Sequence, residues 1–218
     1  MANRKLTDLS PQSAGGLAFN DLLLTSDLSD TTDDATGTYK KLEVDDLAAG
    51  LRTLLCNQSV SAQSPFSSDT YLVGSREVFP TNYPVVGTSY RCVFDVTKTA
   101  AGLATPIITV RIGTAGTTAD TAICTFTFGA GTAAADAGVF EVFCTFRTVG
   151  SGTSAVLQGV ARLTSNLTTT GISNAVKARV STSSGFNSTT ASLGIGVSYN
   201  GGASAAHTIQ LVRAELIL

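Results

Sequence analysis

The sequence predicts a mainly β protein: an antiparallel, jelly-roll-like β-sandwich preceded by a small hairpin-plus-helix module. Three observations carry this expectation. From residue 57 onward, apolar residues recur with period two in nine runs of strand length, separated by Gly, Thr, Ser and Ala. Hydrophobic residues make up 43% of the 218 and charged residues only 14%, low against about a quarter in typical soluble domains, so small neutral residues must form much of the surface. Finally, residues 1–50 hold nine Asp and Glu against four Lys and Arg, whereas the rest hold seven against ten. That asymmetry predicts two regions, 1–56 and 57–218.

The N-terminal region begins with an extended arm, "SPQSAGG" lying at 10–16. Leu22, Leu23 and Leu24 then form a short apolar strand, "SDLSDTTDDATG" is a string of turn-formers, and "TYKKLEV" (38–44) alternates well enough for a second strand. The pattern predicts a hairpin with a long polar loop. Asp45 or Asp46 can cap a helix, at whose positive end acids are favourable. Leu47, Leu51, Leu54 and Leu55 fall at i, i+4, i+7 and i+8, on one face of it. A strand pair and one helix cannot cover their own apolar faces. These seven leucines are therefore the candidate attachment and oligomerisation residues.

The β region opens with "YLVGSREVF" (71–79). "SYRCVFDVT" (89–97) sets Tyr90, Cys92, Phe94 and Val96 against Arg91 and Asp95 on the opposite face. "PIITVRIG" (106–113), "AICTFTFG" (122–129), "VFEVFCTFRTV" (139–149), "SAVLQGVARL" (154–163), "AVKARVS" (175–181) and "LGIGVSY" (193–199) follow. In the last run, "HTIQLVRAELIL" (207–218), Val212, Ala214, Leu216 and Leu218 make one face, with Ile209, Leu211 and Ile217 beside Arg213 and Glu215 on the other. A strand apolar on both faces is central or lies at an interface, so Ile209, Leu211 and Ile217 are candidate subunit-interface residues.

Little in the sequence points to catalysis, and no enzymatic activity is expected. The single histidine, His207, reads as a surface or interface side chain. There is no nucleophile elbow or phosphate-binding glycine loop. Paired carboxylates could build a glycosidase site, but Asp69, Glu77, Asp95, Asp120, Asp136, Glu141 and Glu215 read as solvated loop or outward-facing acids. Cys56, Cys92, Cys124 and Cys144 lack a C-x-x-C spacing, and three of them alternate with Phe on strand-like runs. They are expected to be buried free thiols rather than zinc ligands. The spacing of "DLSDTTDD" departs from a calcium loop. No cofactor is expected.

The bases are scattered singly, which argues against nucleic acid. No apolar run approaches the roughly 20 residues that span a bilayer, so membrane insertion is not expected. Met1 to Gly16 is polar and lacks the apolar core of a signal peptide, so assembly in a cytoplasm is expected. Tyr71, Tyr83, Phe66, Phe79 and Phe186 fall near strand ends or loops and are the candidates for stacking on sugar rings.

The stretch "LLLTSDLSDTTDDATGTYKKLEVDDLAAGL" resembles the N-terminal module of tailed-bacteriophage appendage proteins. Phrases through the β region, among them "TYLVGSREVFP", "FTFGAGTAAADAGVFEV" and "GVSYNGGASAAHTIQLVRAEL", are similar to a C-terminal β-sandwich domain of phage virion proteins. Together they cover nearly the whole chain. The resemblance implies a structural protein of the virion, assembled in the host bacterial cytoplasm. It implies a homotrimer whose N-terminal module attaches to other virion proteins, tail or capsid, with the sandwich projecting outward; the first expectation is a tail-fibre-like appendage facing a host surface glycan. Two alternatives stay open: a capsid-decorating or head-fibre protein that stabilises the shell, and a carbohydrate-binding module. The absence of Trp counts against the second.

Overall fold

The computed structural model describes residues 22–27, 38–43, 56–80, 82–99, 102–174, 176–202 and 207–218. The chain divides into two units, Met1–Thr53 and Leu54–Leu218. In the first, β1 (Leu22–Asp27) pairs antiparallel with β2 (Thr38–Glu43), Leu22 opposite Glu43 and Asp27 opposite Thr38. The expected hairpin therefore forms, and Leu22, Leu23 and Leu24 lie on β1. The expected helix, with Leu47, Leu51, Leu54 and Leu55, lies outside the described residues.

The second unit has two antiparallel sheets. The larger runs in the order β11 (Ala178–Thr182), β10 (Val156–Ser165), β9 (Asp136–Thr148), β6 (Ser89–Lys98), β14 (Val212–Ile217), β3 (Cys56–Ser59), with β13 (His207–Thr208) also on β6. The smaller runs β4 (Thr70–Tyr71), β12 (Gly194–Asn200), β7 (Ile107–Gly113), β8 (Thr121–Thr127), with β5 (Glu77–Val78) also on β12. Pairings are nested: β6 joins β14 in one sheet, β7 joins β12 in the other, and β9 and β10 form a hairpin inside them.

Period-two alternation produces this arrangement because it gives each strand one apolar face to bury. Tyr90, Cys92, Phe94 and Val96 of β6 and Phe140, Val142, Cys144 and Phe146 of β9 are buried. They share one core with Ile108, Val110 and Ile112 of β7 and with Cys124 and Phe126 of β8. At its centre Tyr199 meets Phe66, Phe94 and Phe140 with ring centroids 5.4, 5.7 and 5.7 Å apart. Such pairs add about 1 kcal/mol each beyond the area they bury. All four cysteines are free, three of them buried as expected and Cys56 partly so.

The small sheet is also covered on its outer side. Tyr71 lies over β12 so closely that a Cβ on Gly196 would sit 2.0 Å from its hydroxyl. Arg111 Nε donates to Ser198 Oγ at 2.9 Å. That cover explains why β12 is buried on both faces and why its sequence, "GIGVSYN", carries small residues at alternate positions.

Three details depart from the sequence pattern. The run 71–79 is not one strand but two short ones, β4 and β5, separated by a turn in which Ser75 N–H donates to Leu72 O and Gly74 has φ 87°. A Cβ there would stand 2.5 Å from the Ser59 nitrogen, so only glycine fits. Secondly, β3, "CNQS", pairs with the edge of β14 although it has no apolar alternation.

The third concerns the C-terminal strand. Thr208 lies opposite Thr97, but Val212 lies opposite Phe94, so one extra residue is accommodated between β13 and β14. Asp95 Oδ1 holds this bulge by accepting the N–H groups of Gln210 at 2.7 Å and Leu211 at 2.8 Å. The extra residue reverses the facing of everything before it. His207 and Ile209 therefore point inward together with Val212, Ala214 and Leu216. Ile209, a candidate interface residue on the unbroken pattern, is fully buried and offers no surface to another subunit; its backbone pairs with Gln63 instead. Leu211 and Ile217 remain about half exposed, at 47% and 48%. His207, expected at the surface or an interface, is 2% exposed and lies in the core. β14 itself is central, between β6 and β3.

Candidate functional site

Polar side chains in the sandwich fall into three groups, and their surroundings separate fastening from recognition. The first lies where the 132–136 and 165–177 segments meet the end of β6. Lys98 Nζ donates to the carbonyls of Thr99, Thr132 and Ala134 at 3.1, 2.6 and 3.1 Å. Lys177 Nζ donates to Ser165 Oγ and to the carbonyls of Leu167 and Ser173 at 2.9, 3.1 and 3.0 Å. Each ammonium thus has an acceptor for each of its three protons. Asp136 accepts the N–H groups of Leu167 and Ile172 at 3.2 and 3.0 Å. Burial lowers both lysine pKa values, opposed by the charge of Asp136.

The second group surrounds a cleft of about 500 Å³ walled by Asp69, Tyr71, Arg76 and the 116–118 loop. Asp120 accepts the N–H groups of Ala115 and Gly116 at 2.9 and 2.8 Å, which shapes that loop. Arg111 Nη1 donates to the carbonyls of Thr118 and Asp120, and its Nη2 pairs with Asp69. Tyr71 Oη, Arg76 Nε and Glu77 Oε1 are buried without a hydrogen-bond partner among the described residues. Burial pushes the Glu77 carboxyl up to about 7, opposed by the N–H of Asn57. Burial, then the charge of Asp120, pushes the Tyr71 phenol up to about 12. Glu77, an acid poised near neutrality, is not part of the cleft wall.

Three acids read as solvated, Glu77, Asp120 and Asp136, are therefore buried. Six of the seven acids of this unit hold structure: Asp95 the bulge, Glu141 and Glu215 the Arg91 guanidinium at 2.8 and 3.2 Å, and Asp69, Asp120 and Asp136 the contacts above; Glu77 is the exception, with one carboxyl oxygen buried and unpartnered among the described residues. His207 Nδ1 lies 2.8 Å from Tyr199 Oη in the core. Burial, then the charge of Lys98, lowers its pKa to about 4.

The third group lines a cleft of about 590 Å³ between residues 78–80, 82–84 and 188–193, with Val149 and Gly150 also lining it. Phe79 N–H donates to Leu193 O at 2.9 Å, tying one wall to the other, and Ser188 Oγ accepts Gly150 N–H at 2.9 Å. Phe79 is further held edge-on by Phe146, ring centroids 5.5 Å apart. No lining residue is Asp, Glu, Lys, Arg or His.

Of the five aromatic residues expected to stack on sugars, Phe66, Phe79 and Phe186 are buried, because each packs against another ring of the core. Tyr71 is half-buried over Gly196. Tyr83 is half-buried and lines the neutral cleft. The structure thus brings Phe79 and Tyr83 together, whereas Leu211 and Ile217 belong to neither cleft. Asn82 and the hydroxyls of 188–192 carried no signal in sequence, since they sit in loops more than a hundred positions apart. Comparison with protein-family models, curated proteins and solved structures finds no match.

Proposed function

We propose that this chain is a non-enzymatic structural protein of a tailed-phage virion, a trimeric tail-fibre-like appendage. Residues 1–56 attach it to the particle and join the subunits, and residues 57–218 form the displayed jelly-roll-like sandwich. The observation that carries the reading is the contrast in self-sufficiency between the two units. The sandwich closes its own core and directs its acids onto its own loops and strands. The described part of the first unit is a single hairpin, and an isolated two-stranded hairpin is marginal in water. Such a unit gains stability by docking on something else. The nested pairing of β6 with β14 and β7 with β12 is in keeping with jelly-roll wrapping. Exposed Leu211, Ile217 and Leu218 offer apolar surface for contact between subunits.

The test is deletion of residues 1–53, which leaves β3 intact. Light scattering of the full chain is expected to give three copies, and the truncated chain a folded sandwich that no longer joins the particle. Incorporation of the truncated chain into particles would overturn the attachment role. Antibody labelling of particles in electron micrographs is expected on the tail; label over the head would transfer the protein to the capsid-decorating reading.

A further inference from the structure

We infer that the neutral cleft between residues 78–80, 82–84 and 188–193 binds an uncharged carbohydrate of one to three sugar units. The inference stands apart from the virion reading, since it rests on the cleft alone. Its volume, about 590 Å³, lies within the range of small-ligand sites. Its two walls differ in chemistry. Phe79, Tyr83 and Pro84 make an apolar, ring-bearing wall, and Thr189, Thr190 and Ser192 bring hydroxyls to the other. A pyranose is divided in the same way, with C–H groups on the ring face and hydroxyls around its edge. Tyr83 is half-buried, whereas Phe79 and Pro84 are buried, so Tyr83 is the ring most available to that face.

The lack of charge selects further. A phosphate, sulfate or carboxylate would lose water in this cleft with no cation to receive it, and that cost is large. A neutral sugar loses only hydroxyl hydration, which the cleft can replace. Thr189 Oγ1 donates to Asn187 Oδ1 at 2.8 Å. The side chains of Asn82, Tyr83, Thr190 and Ser192 make no hydrogen bond among the described residues and are free to meet a ligand.

Backbone conformation supplies an independent observation. Among the described residues, the non-glycine residues with left-handed backbone are Asn82 (φ 71°) and Ser192 (φ 56°). Both line this cleft, on opposite walls. Left-handed residues other than glycine are uncommon, and such strain collects at ligand clamps. The contact between Phe79 N–H and Leu193 O holds the two walls in place before a ligand arrives, which lowers the ordering cost of binding.

The test is a titration of the full-length, ¹⁵N-labelled chain with maltotriose, cellotriose, chitotriose and mannotriose, with sialyllactose and a heparin disaccharide as charged comparisons. A neutral trisaccharide is expected to shift the amides of Phe79, Asn82, Tyr83 and 188–193 saturably by about 20 mM, and Tyr83→Ala to weaken it about tenfold. Thr190→Val, on the opposite wall, is expected to weaken it as well and serves if Tyr83→Ala fails to fold. Core amides such as Phe94 and Phe140 report folding. The proposal is overturned if no neutral trisaccharide binds, if shifts fall outside the cleft, if only a charged sugar binds, or if folded variants retain full affinity.

Discussion

In the cleft walled by Asp69, Tyr71 and Arg76, charge belongs to the protein: Asp69 is taken by Arg111, and Asp120 beneath the loop by two backbone N–H groups. In the cleft walled by Tyr83 and Thr190 no lining residue is charged, and the side chains of Asn82, Tyr83, Thr190 and Ser192 make no hydrogen bond among the described residues. The contrast separates two uses of polarity in a chain that is only 14% charged. Most ionic groups of the sandwich fasten its loops, and several neutral groups of this second cleft are left for recognition.

The largest effect is expected where fastening is densest. Asp136→Ala removes the acceptor of the Leu167 and Ile172 N–H groups and the counter-charge between Lys98 and Lys177. A loss of about 3 kcal/mol is expected in urea unfolding. A loss below about 1 kcal/mol, the scale of an ordinary surface change, would break the distinction between the two regions.

Next in size is a gain. Glu77 titrates at about 7 in the folded chain, above its unfolded value, so it favours folding below about pH 4.5 and loses that contribution as pH rises toward 7. Glu77→Gln is expected to stabilise the protein by roughly 2 kcal/mol at pH 8 and by almost nothing at pH 4. A flat difference between the two proteins across that range would show that the Glu77 carboxyl is ordinary.

His207 has the opposite sign. Its folded pKa, about 4, lies below the unfolded value, so its contribution is complete above about pH 6.5 and is lost as pH falls toward 4. In the parent chain these two slopes oppose each other. The Glu77→Gln chain is therefore expected to lose up to about 2 kcal/mol between pH 6.5 and 4 where the parent changes less. Parallel stability curves for the two chains would exclude the pairing.

The smallest effect sharpens the neutral side of the comparison. Ser192→Gly relieves a left-handed residue and is expected to raise stability by about 0.5–1 kcal/mol in thermal melts. If stability falls instead, Ser192 is a packing residue and its conformation carries no strain.

The strands are legible in the sequence because burial of one face leaves a period of two: Cys92 with Phe94, Cys124 with Phe126, and Cys144 with Phe146 each mark an inward face. β3 is not legible, since "CNQS" has no apolar alternation and owes its place to the open edge of β14. The bulge before β14 is invisible for a different reason. Its cause, Asp95, lies on another strand, and without it the period assigns Ile209 to the wrong face. Buried charge hides similarly, because Lys98 is satisfied by three backbone carbonyls and any residue supplies a carbonyl. Of the candidate site, Phe79 and Tyr83 can be read as aromatics near loops, but their convergence with Thr190 and Ser192 depends on β5 pairing with β12 and on the Phe79–Leu193 hydrogen bond that extends it.

The bulge also bears on how the protein reaches its fold. Asp95 and Leu211 are 116 positions apart, and closing a loop of that length costs chain entropy before any contact offsets it. Assembly of the large sheet should therefore take milliseconds to seconds, the range of non-local β proteins. Until β14 inserts, β6 presents an unpaired edge beside an apolar face, the kind of surface on which another nascent chain can pair. The fork of bonds from Asp95 then acts as a register stop, because β14 slid by one position would leave those N–H groups without their acceptor and turn Val212, Ala214 and Leu216 to water.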